Sequence, residues 1–299
     1  MGSSENSSTD ARKKGVIMKR IGGFYYVKAA DDLIECKPRG IFRKRGITPL
    51  PGDIAVLENE GGTWTITDIE PRKNSFMRPP VANVDLMVVV VSTVVPDADY
   101  MMTDKLLCIA EKAGVDAVIA YTKTDIADMG DFPYVYRKAG YEVIVTGDPG
   151  AGKRLRELIQ GRVAVFVGNT GAGKSTLLNT IEPELNLATG ETSRKLGRGR
   201  HTTRAVELYE IGGGLAADTP GFSALDFSSA VTSREVAGLY REFRPFLGSC
   251  RFSDCRHAGE EGCAVMKAVE DGIIGKTRYE SYLGLLGQLE KSEKEELHR

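Results

Sequence analysis

The stretch Gly168-Asn169-Thr170-Gly171-Ala172-Gly173-Lys174-Ser175-Thr176, GNTGAGKST, decides the fold class. Glycine, four residues, glycine, lysine and serine is the pattern of a loop that wraps the phosphates of a nucleoside triphosphate. The context fits, because the strand-like VAVFV (163–167) precedes the loop and the helix-like KSTLLNTI (174–181) comes after it. Glycines let backbone N–H groups turn toward phosphate oxygens, and a helix N-terminus adds partial positive charge. In that chemistry Lys174 faces the β and γ phosphates, and the Ser175 hydroxyl ligates Mg2+. Downstream, Asp218-Thr219-Pro220-Gly221 closes another strand-like run. An acidic side chain there holds the magnesium shell. A glycine turn that binds nothing is the bland alternative, and the strand and helix around it argue against that.

The loop raises a question of order, since more than half of the chain precedes it. A guanine reader has the form Asn/Thr-Lys-x-Asp at a strand end. Its carboxylate accepts from two guanine donors that adenine lacks, so adenine leaves it desolvated and unpaired. No Lys-x-Asp occurs after Lys174, but Thr122-Lys123-Thr124-Asp125 precedes it, at the end of VDAVIAY. One strand later, YEVIVTG ends in Thr146-Gly147, where a backbone N–H suits the guanine oxygen. The base is therefore expected to be read before the phosphates in chain order. A parallel sheet permits this, because ligands gather at its strand ends whatever the order of the chain. The rival reading is an ATP enzyme in which TKTD is an ordinary helix start.

Working outward, strand and helix signals alternate from about residue 86 to 218, which predicts a largely parallel sheet covered by helices. LMVVVVSTV reads as a buried strand, and Thr103 to Ala113 as a helix ended by Gly114. Before it, Arg78-Pro79-Pro80 reads as a linker. Earlier still, GFYYVKA, LIECKP, DIAVLE and TWTITDI are β-rich runs separated by Gly-Gly and Pro-Gly turns. They predict a five-stranded OB-fold barrel. Between its strands lies KPRGIFRKRG, with Lys37, Arg39, Arg43, Lys44 and Arg45 around the apolar pair Ile41 and Phe42. A solvated loop is one reading; a nucleic-acid contact is the other, favoured by the apolar pair. The polar start of the chain, which opens MGSSENSSTD, cannot bury apolar surface and is expected to be disordered, with Met18 a candidate natural start.

After about Ser223 the pattern turns helical. Cys250, Cys255, His257 and Cys263 fall within fourteen residues. Three thiolates and an imidazole make a closed tetrahedral set for structural Zn2+. Cys36, Cys108 and His298 read as bystanders. The expected organisation is multidomain α/β: a disordered extension (1–17), an OB-fold barrel (18–73), a circularly permuted P-loop GTPase domain (74–227) and a helical zinc-binding domain (228–299).

The 299 residues are 41% apolar and carry a net charge of -1, so no global basic field argues for nucleic acid. No apolar run is long enough to span a bilayer, and none opens the chain as a signal segment. A soluble, cytoplasmic monomer without a membrane partner is expected.

The permuted order, the barrel and the cysteine cluster coincide with PGD (51–53), VANVD (81–85), GNTGAGKSTLLN (168–179), GRGRHTT (197–203) and DTPGF (218–222). Together these resemble the circularly permuted GTPases that act on the small ribosomal subunit, the RsgA (YjeQ/YloQ) family, over about Met18 to Leu289. The resemblance implies one bound zinc, contacts with 16S-type rRNA, a role in late maturation of the 30S subunit, and GTP hydrolysis stimulated by that subunit. It departs mildly at Thr122, where many GTPases have Asn, and at Thr146-Gly147, where Ser-Ala is common.

Phe222 stands where many GTPases carry a water-orienting glutamine, and it has no polar group to do that work. The candidate substitute is His201, in a glycine-rich stretch carrying Arg194, Lys195, Arg198, Arg200 and Arg204. A plain RNA-contacting histidine is the alternative. In the same stretch Thr203, or its neighbour Thr202, is expected to coordinate Mg2+ in the triphosphate state. A protein that senses guanine nucleotide and scarcely hydrolyses it is the remaining rival.

Overall fold

A computed structural model describes residues 12–297 apart from 78, 95–97, 128–129, 188–205 and 219–226. Five strands form a closed barrel: β1 (Arg12–Ile21), β2 (Phe24–Ala29), β3 (Asp32–Pro38), β4 (Ile54–Glu60) and β5 (Thr63–Ile69). Their order is β1-β2-β3-β5-β4, closed by β4 against β1, with only the β3–β5 pair parallel. Alternation along β2 sends Tyr25, Val27 and Ala29 inward, the period expected of a strand with one buried face. The short helix α1 (Ile41–Lys44) lies between β3 and β4.

Two expectations are corrected here. Residues 12–17 are not a disordered extension: they form the first half of β1, pairing with β4 from Arg12↔Glu58 to Val16↔Ile54. Their lysines face solvent or acidic partners, as Lys13 does with Asp32 and Lys14 with Glu70, so strand pairing overrides a polar composition. The linker expected at 78–80 gives way, on either side of residue 78, to paired strands. There β6 (Ser75–Met77) pairs antiparallel with β7 (Pro80–Ala82).

This hairpin belongs to a tight junction between barrel and sheet. Asp53 is fully buried and takes two hydrogen bonds from the Arg72 guanidinium, at 2.7 and 2.8 Å. Asn83 donates to the Gly52 carbonyl at 2.9 Å and accepts from the Lys73 N–H at 2.9 Å. Gly52 has φ of 90°, and a Cβ there would lie 2.1 Å from the Ala82 oxygen, so glycine is required. The PGD and VANVD motifs are thus the two sides of one joint.

The second sheet has six strands: β8 (Leu86–Ser92), β9 (Asp116–Thr122), β10 (Glu142–Val145), β11 (Val163–Val167), β12 (Leu208–Ile211) and β13 (Gly214–Asp218). Their order is β10-β9-β8-β11-β13-β12, parallel throughout except for β12. Every residue of β8 is buried, as its unbroken apolar run requires of a central parallel strand. Helices α2 (Tyr100–Ala113) and α3 (Phe132–Lys138) cover one face; α4 (Ala151–Ile159) and α5 (Lys174–Ile181) cover the other. Asp99 caps α2 by accepting from the Met102 N–H, and Gly114 ends it in the left-handed region.

The C-terminal part comprises α6 (Phe227–Ala230), two 3-10 segments (Val236–Leu239 and Arg241–Phe246), α7 (Ala264–Glu270) and α8 (Lys276–Leu297). It has no separate core: Tyr240, Phe243, Tyr282 and Leu285 join the apolar cluster beneath α2 and α3. Within that contact Arg278, 2% exposed, lies between Glu242 at 2.6 Å and the fully buried Asp104 of α2. Burial pushes the Asp104 carboxyl above its ordinary range, and the Arg278 charge pulls it back. The hydroxyl of Tyr136 donates to Asp104 at 2.7 Å. Such a cluster stabilises little against an apolar substitute, but losing one partner is costly.

Candidate nucleotide site and metal centre

The carboxyl ends of the parallel strands bring the motifs together. Register pairs Ser92 of β8 with Thr122 of β9, and Val145 of β10 with Tyr121. On the other side Val167 pairs with Val89, and Phe166 with Asp218. Across one sheet edge therefore lie Thr146-Gly147, the TKTD turn, the end of β8, the glycine loop and Asp218. Chain direction diverges between β8 and β11, the crevice where such sheets bind ligands.

The loop lies across the end of β8. Gly168 has φ of 137°, and a Cβ on it would come within 2.2 Å of the Val90 carbonyl oxygen. Gly173, at φ of 94°, turns the chain into α5, so the first N–H groups of α5 are presented at the loop. Lys174 is buried, and its ammonium donates to the carbonyls of Gly168 and Asn169, both at 2.9 Å. The cationic charge that a triphosphate needs is thus held within the loop.

The TKTD turn is fastened to the same loop. The Thr122 hydroxyl, buried, lies 2.7 Å from the Ala172 oxygen and 3.2 Å from that of Val91. A hydroxyl has one hydrogen, and the shorter contact marks Ala172 as its acceptor. Lys123 adopts a left-handed φ of 59°, its carbonyl accepting from the Thr93 hydroxyl at 2.6 Å and its ammonium reaching the Val94 oxygen at 3.3 Å. That kink leaves Asp125 exposed on the turn. Beside it, the Thr146 N–H donates to the Tyr121 oxygen at 2.9 Å. A Cβ on Gly147 would meet the Thr124 hydroxyl at 2.7 Å, so the two base-side segments touch.

Sequence reasoning missed the Thr122–Ala172 clasp. The Asn-to-Thr change was legible, but its partner on a loop fifty residues away was not. Among the magnesium candidates, Ser175 is the second residue of α5 and Asp218 closes β13, with the Asp218 side chain outside the described part. Thr202, Thr203 and His201 lie outside the described residues, as do Phe222 and His298.

On the barrel, Arg43, Lys44 and Arg45 are exposed around α1. Arg39 is tied to Glu58 at 3.0 Å and Glu60 at 2.8 Å. The apolar pair that favoured nucleic acid divides: Phe42 plugs the barrel core and Ile41 alone is exposed. Its presence in the basic segment thus has a structural cause.

The four cysteine and histidine side chains converge, their donor atoms all within 4.8 Å of one another. His257 Nδ1 lies 3.5 Å from Cys250 Sγ and 3.4 Å from Cys263 Sγ. Tetrahedral Zn2+ with bonds of about 2.3 Å to sulfur and about 2.0 Å to nitrogen sets that separation near 3.5 Å. The donor set therefore fits zinc in size and chemistry. Backbone N–H groups of Ala264 and Met266 point at Cys250 and Cys263 sulfurs, at 3.3 and 3.5 Å, which suits thiolates. The Tyr279 hydroxyl donates to the His257 carbonyl at 2.8 Å, fixing that residue at its left-handed φ of 57°.

Comparison with known proteins agrees with this geometry. Residues 69–228 match the family model described as RsgA GTPase, and residues 14–65 the RsgA N-terminal domain. A protein of Enterococcus faecalis named small ribosomal subunit biogenesis GTPase RsgA is 45% identical, over 93% of this chain and 95% of its own. A protein of the same name from Moorella thermoacetica is 43% identical over 92% and 97%. The crystal structure of YloQ, titled a circularly permuted GTPase, superposes with a TM-score of 0.78 at 33% identity, covering 97% of this chain and 99% of that one. YjeQ from Thermotoga maritima gives the same TM-score at 31% identity, over 93% and 98%.

Proposed function

The chain belongs to the RsgA family of circularly permuted GTPases, and on that premise we propose that it binds the small ribosomal subunit, hydrolyses GTP there and leaves after hydrolysis. It is a GTP-hydrolysing P-loop enzyme of small ribosomal subunit biogenesis. The observation that carries the reading is the meeting of TKTD and the glycine loop at one sheet edge, clasped by Thr122 and Ala172.

In this reading Asp125 and the Gly147 N–H read guanine, while the loop from Gly168 to Thr176 holds the phosphates. Lys174 neutralises charge developing on the transferred phosphoryl group. Ser175, Thr203 and Asp218 serve Mg2+. His201 orients the attacking water once the subunit is bound. The closed Cys250/Cys255/His257/Cys263 set holds a structural zinc with no position open for substrate. Arg43, Lys44 and Arg45 contact rRNA phosphates, with Arg39 available if its carboxylate partners release it. The protein works as a monomer in the cytoplasm, and no described helix is long and apolar enough to cross a membrane.

The test is GTP turnover with and without purified small ribosomal subunits, with ATP as competitor. A rise of about tenfold or more on adding subunits, unaffected by ATP, is expected for a hydrolysis step completed by its partner. An identical rate in both conditions refutes the reading.

A further inference from the structure

The barrel also touches the GTPase sheet beside the Asp53–Arg72 joint, where Ile17 of β1 exchanges backbone hydrogen bonds with Asp53 and Gly52. The register of β1 against β2 shifts between Ile17 and Lys19, so Met18 sits at a bulge. A bulge re-aims side chains. Ile17 enters the barrel core, whereas Met18, 7% exposed, joins the apolar cluster that contains Val206 and Leu208. The next residue, Lys19, forms an antiparallel bridge with Glu207, and its ammonium lies 2.6 Å from the Glu207 carboxylate. Lys28 of β2 pairs with Glu210 of β12 at 3.0 Å. β12 is the edge strand of its sheet, and β1 covers part of its open edge.

The register across the sheet gives this seam its direction. Leu208 pairs with Ala217 in the antiparallel β12–β13 ladder, so one further step sets Glu207 opposite Asp218. Asp218 in turn pairs with Phe166, two residues before Gly168. A single transverse row thus runs from Lys19 of the barrel through Glu207 and Asp218 to the strand that feeds the phosphate loop. Because the strands are joined by backbone pairing, a displacement of β1 at the seam is passed along this row.

We infer that the β1–β12 seam lets the barrel set the position of Asp218, which makes Lys19 and Glu207 positioning residues for GTP hydrolysis. The inference rests on the reading that the barrel engages rRNA and that Asp218 serves the magnesium shell. The Lys19–Glu207 ion pair fixes β12 against a body that the RNA holds, and the catalytic end of β13 takes its place from β12. A single partly solvated ion pair contributes little to stability, so breaking it leaves the fold intact.

The experiment compares full-length wild type with Lys19→Glu, Glu207→Lys and the charge-swapped double variant. Both single variants keep basal turnover and subunit affinity within about twofold, yet lose about tenfold of the turnover at saturating subunits. The swap restores stimulated turnover to within about threefold of wild type, because the pair is remade. Normal stimulation in the single variants, or a swap no better than either, overturns the inference. Hydrogen exchange on the free protein supplies a readout independent of subunits. Amides of 14–21 and 206–211 change protection together between GDP and a non-hydrolysable GTP analogue; a change confined to one segment, or in neither, also overturns it. Failure of wild type to respond to subunits would instead refute the proposed function, leaving the exchange result to judge the seam.

Discussion

The Thr122 hydroxyl donates to the carbonyl oxygen of Ala172 at 2.7 Å, tying the TKTD turn to the glycine loop. The two segments follow strands on opposite sides of β8, so this bond spans the end of the strand between them.

Thr122→Val keeps the shape and removes the donor, leaving the Ala172 carbonyl buried without it. An unsatisfied buried acceptor costs about 1–3 kcal/mol. GDP and GTP affinity should therefore fall together, by about tenfold, in titrations with a fluorescent guanine nucleotide. Thr122→Ser retains the hydroxyl and should bind within about twofold of wild type. Unchanged affinity in the valine variant would remove the clasp from the account.

Lys174→Ala acts on a different part of the site. It removes a charge held at the loop by the Gly168 and Asn169 carbonyls. Charge-assisted contacts are worth about 1.5–3 kcal/mol, so GTP affinity or turnover should drop by about ten- to a hundredfold. Normal GTP binding together with normal turnover contradicts the loop assignment.

How much of this was legible in the chain depends on the range of the interaction. The loop, TKTD and the alternation of strands and helices are local patterns, and the sheet brings them to one edge as expected. The Cys/His cluster was legible for the same reason, since all four residues lie between 250 and 263. Strand β1 was not. RKKGVIMKRI is half charged, and only pairing with β2 and β4 makes it a strand. Phe42 reads as part of a basic recognition loop because burial in a barrel has no signature in one side chain. The union of the C-terminal helices with α2 rests on Arg278 meeting Asp104 across 174 residues, a distance no local pattern spans.

That union can be measured. Arg278→Ala leaves Asp104 and Glu242 buried without their cation, at a cost of about 3–5 kcal/mol. The urea midpoint should fall accordingly. Replacing the whole set, as Asp104→Asn with Glu242→Gln and Arg278→Met, should recover about half of that loss or more, because no uncompensated charge remains. A triple variant weaker than the single one would show that the ion pairs themselves stabilise the contact.

The zinc set predicts about one equivalent of metal per chain by elemental analysis, and Cys255→Ser should lose it. The ligands lie outside the sheet edge that carries the nucleotide motifs, so guanine nucleotide affinity should stay within about twofold of wild type. Full metal content in that variant would exclude Cys255 as a ligand.

The central claim is that one site is assembled from an upstream base reader and a downstream phosphate loop, and a switch of base tests it most directly. In Asp125→Asn the carboxylate that accepts from guanine becomes an amide, which can donate to the carbonyl that xanthine carries instead of the guanine amine. The measurement is subunit-stimulated hydrolysis of GTP and of xanthosine triphosphate by wild type and Asp125→Asn. The account predicts that wild type prefers GTP and that the variant prefers the xanthosine nucleotide, each preference about tenfold or more. A variant that still hydrolyses GTP as wild type does would contradict it.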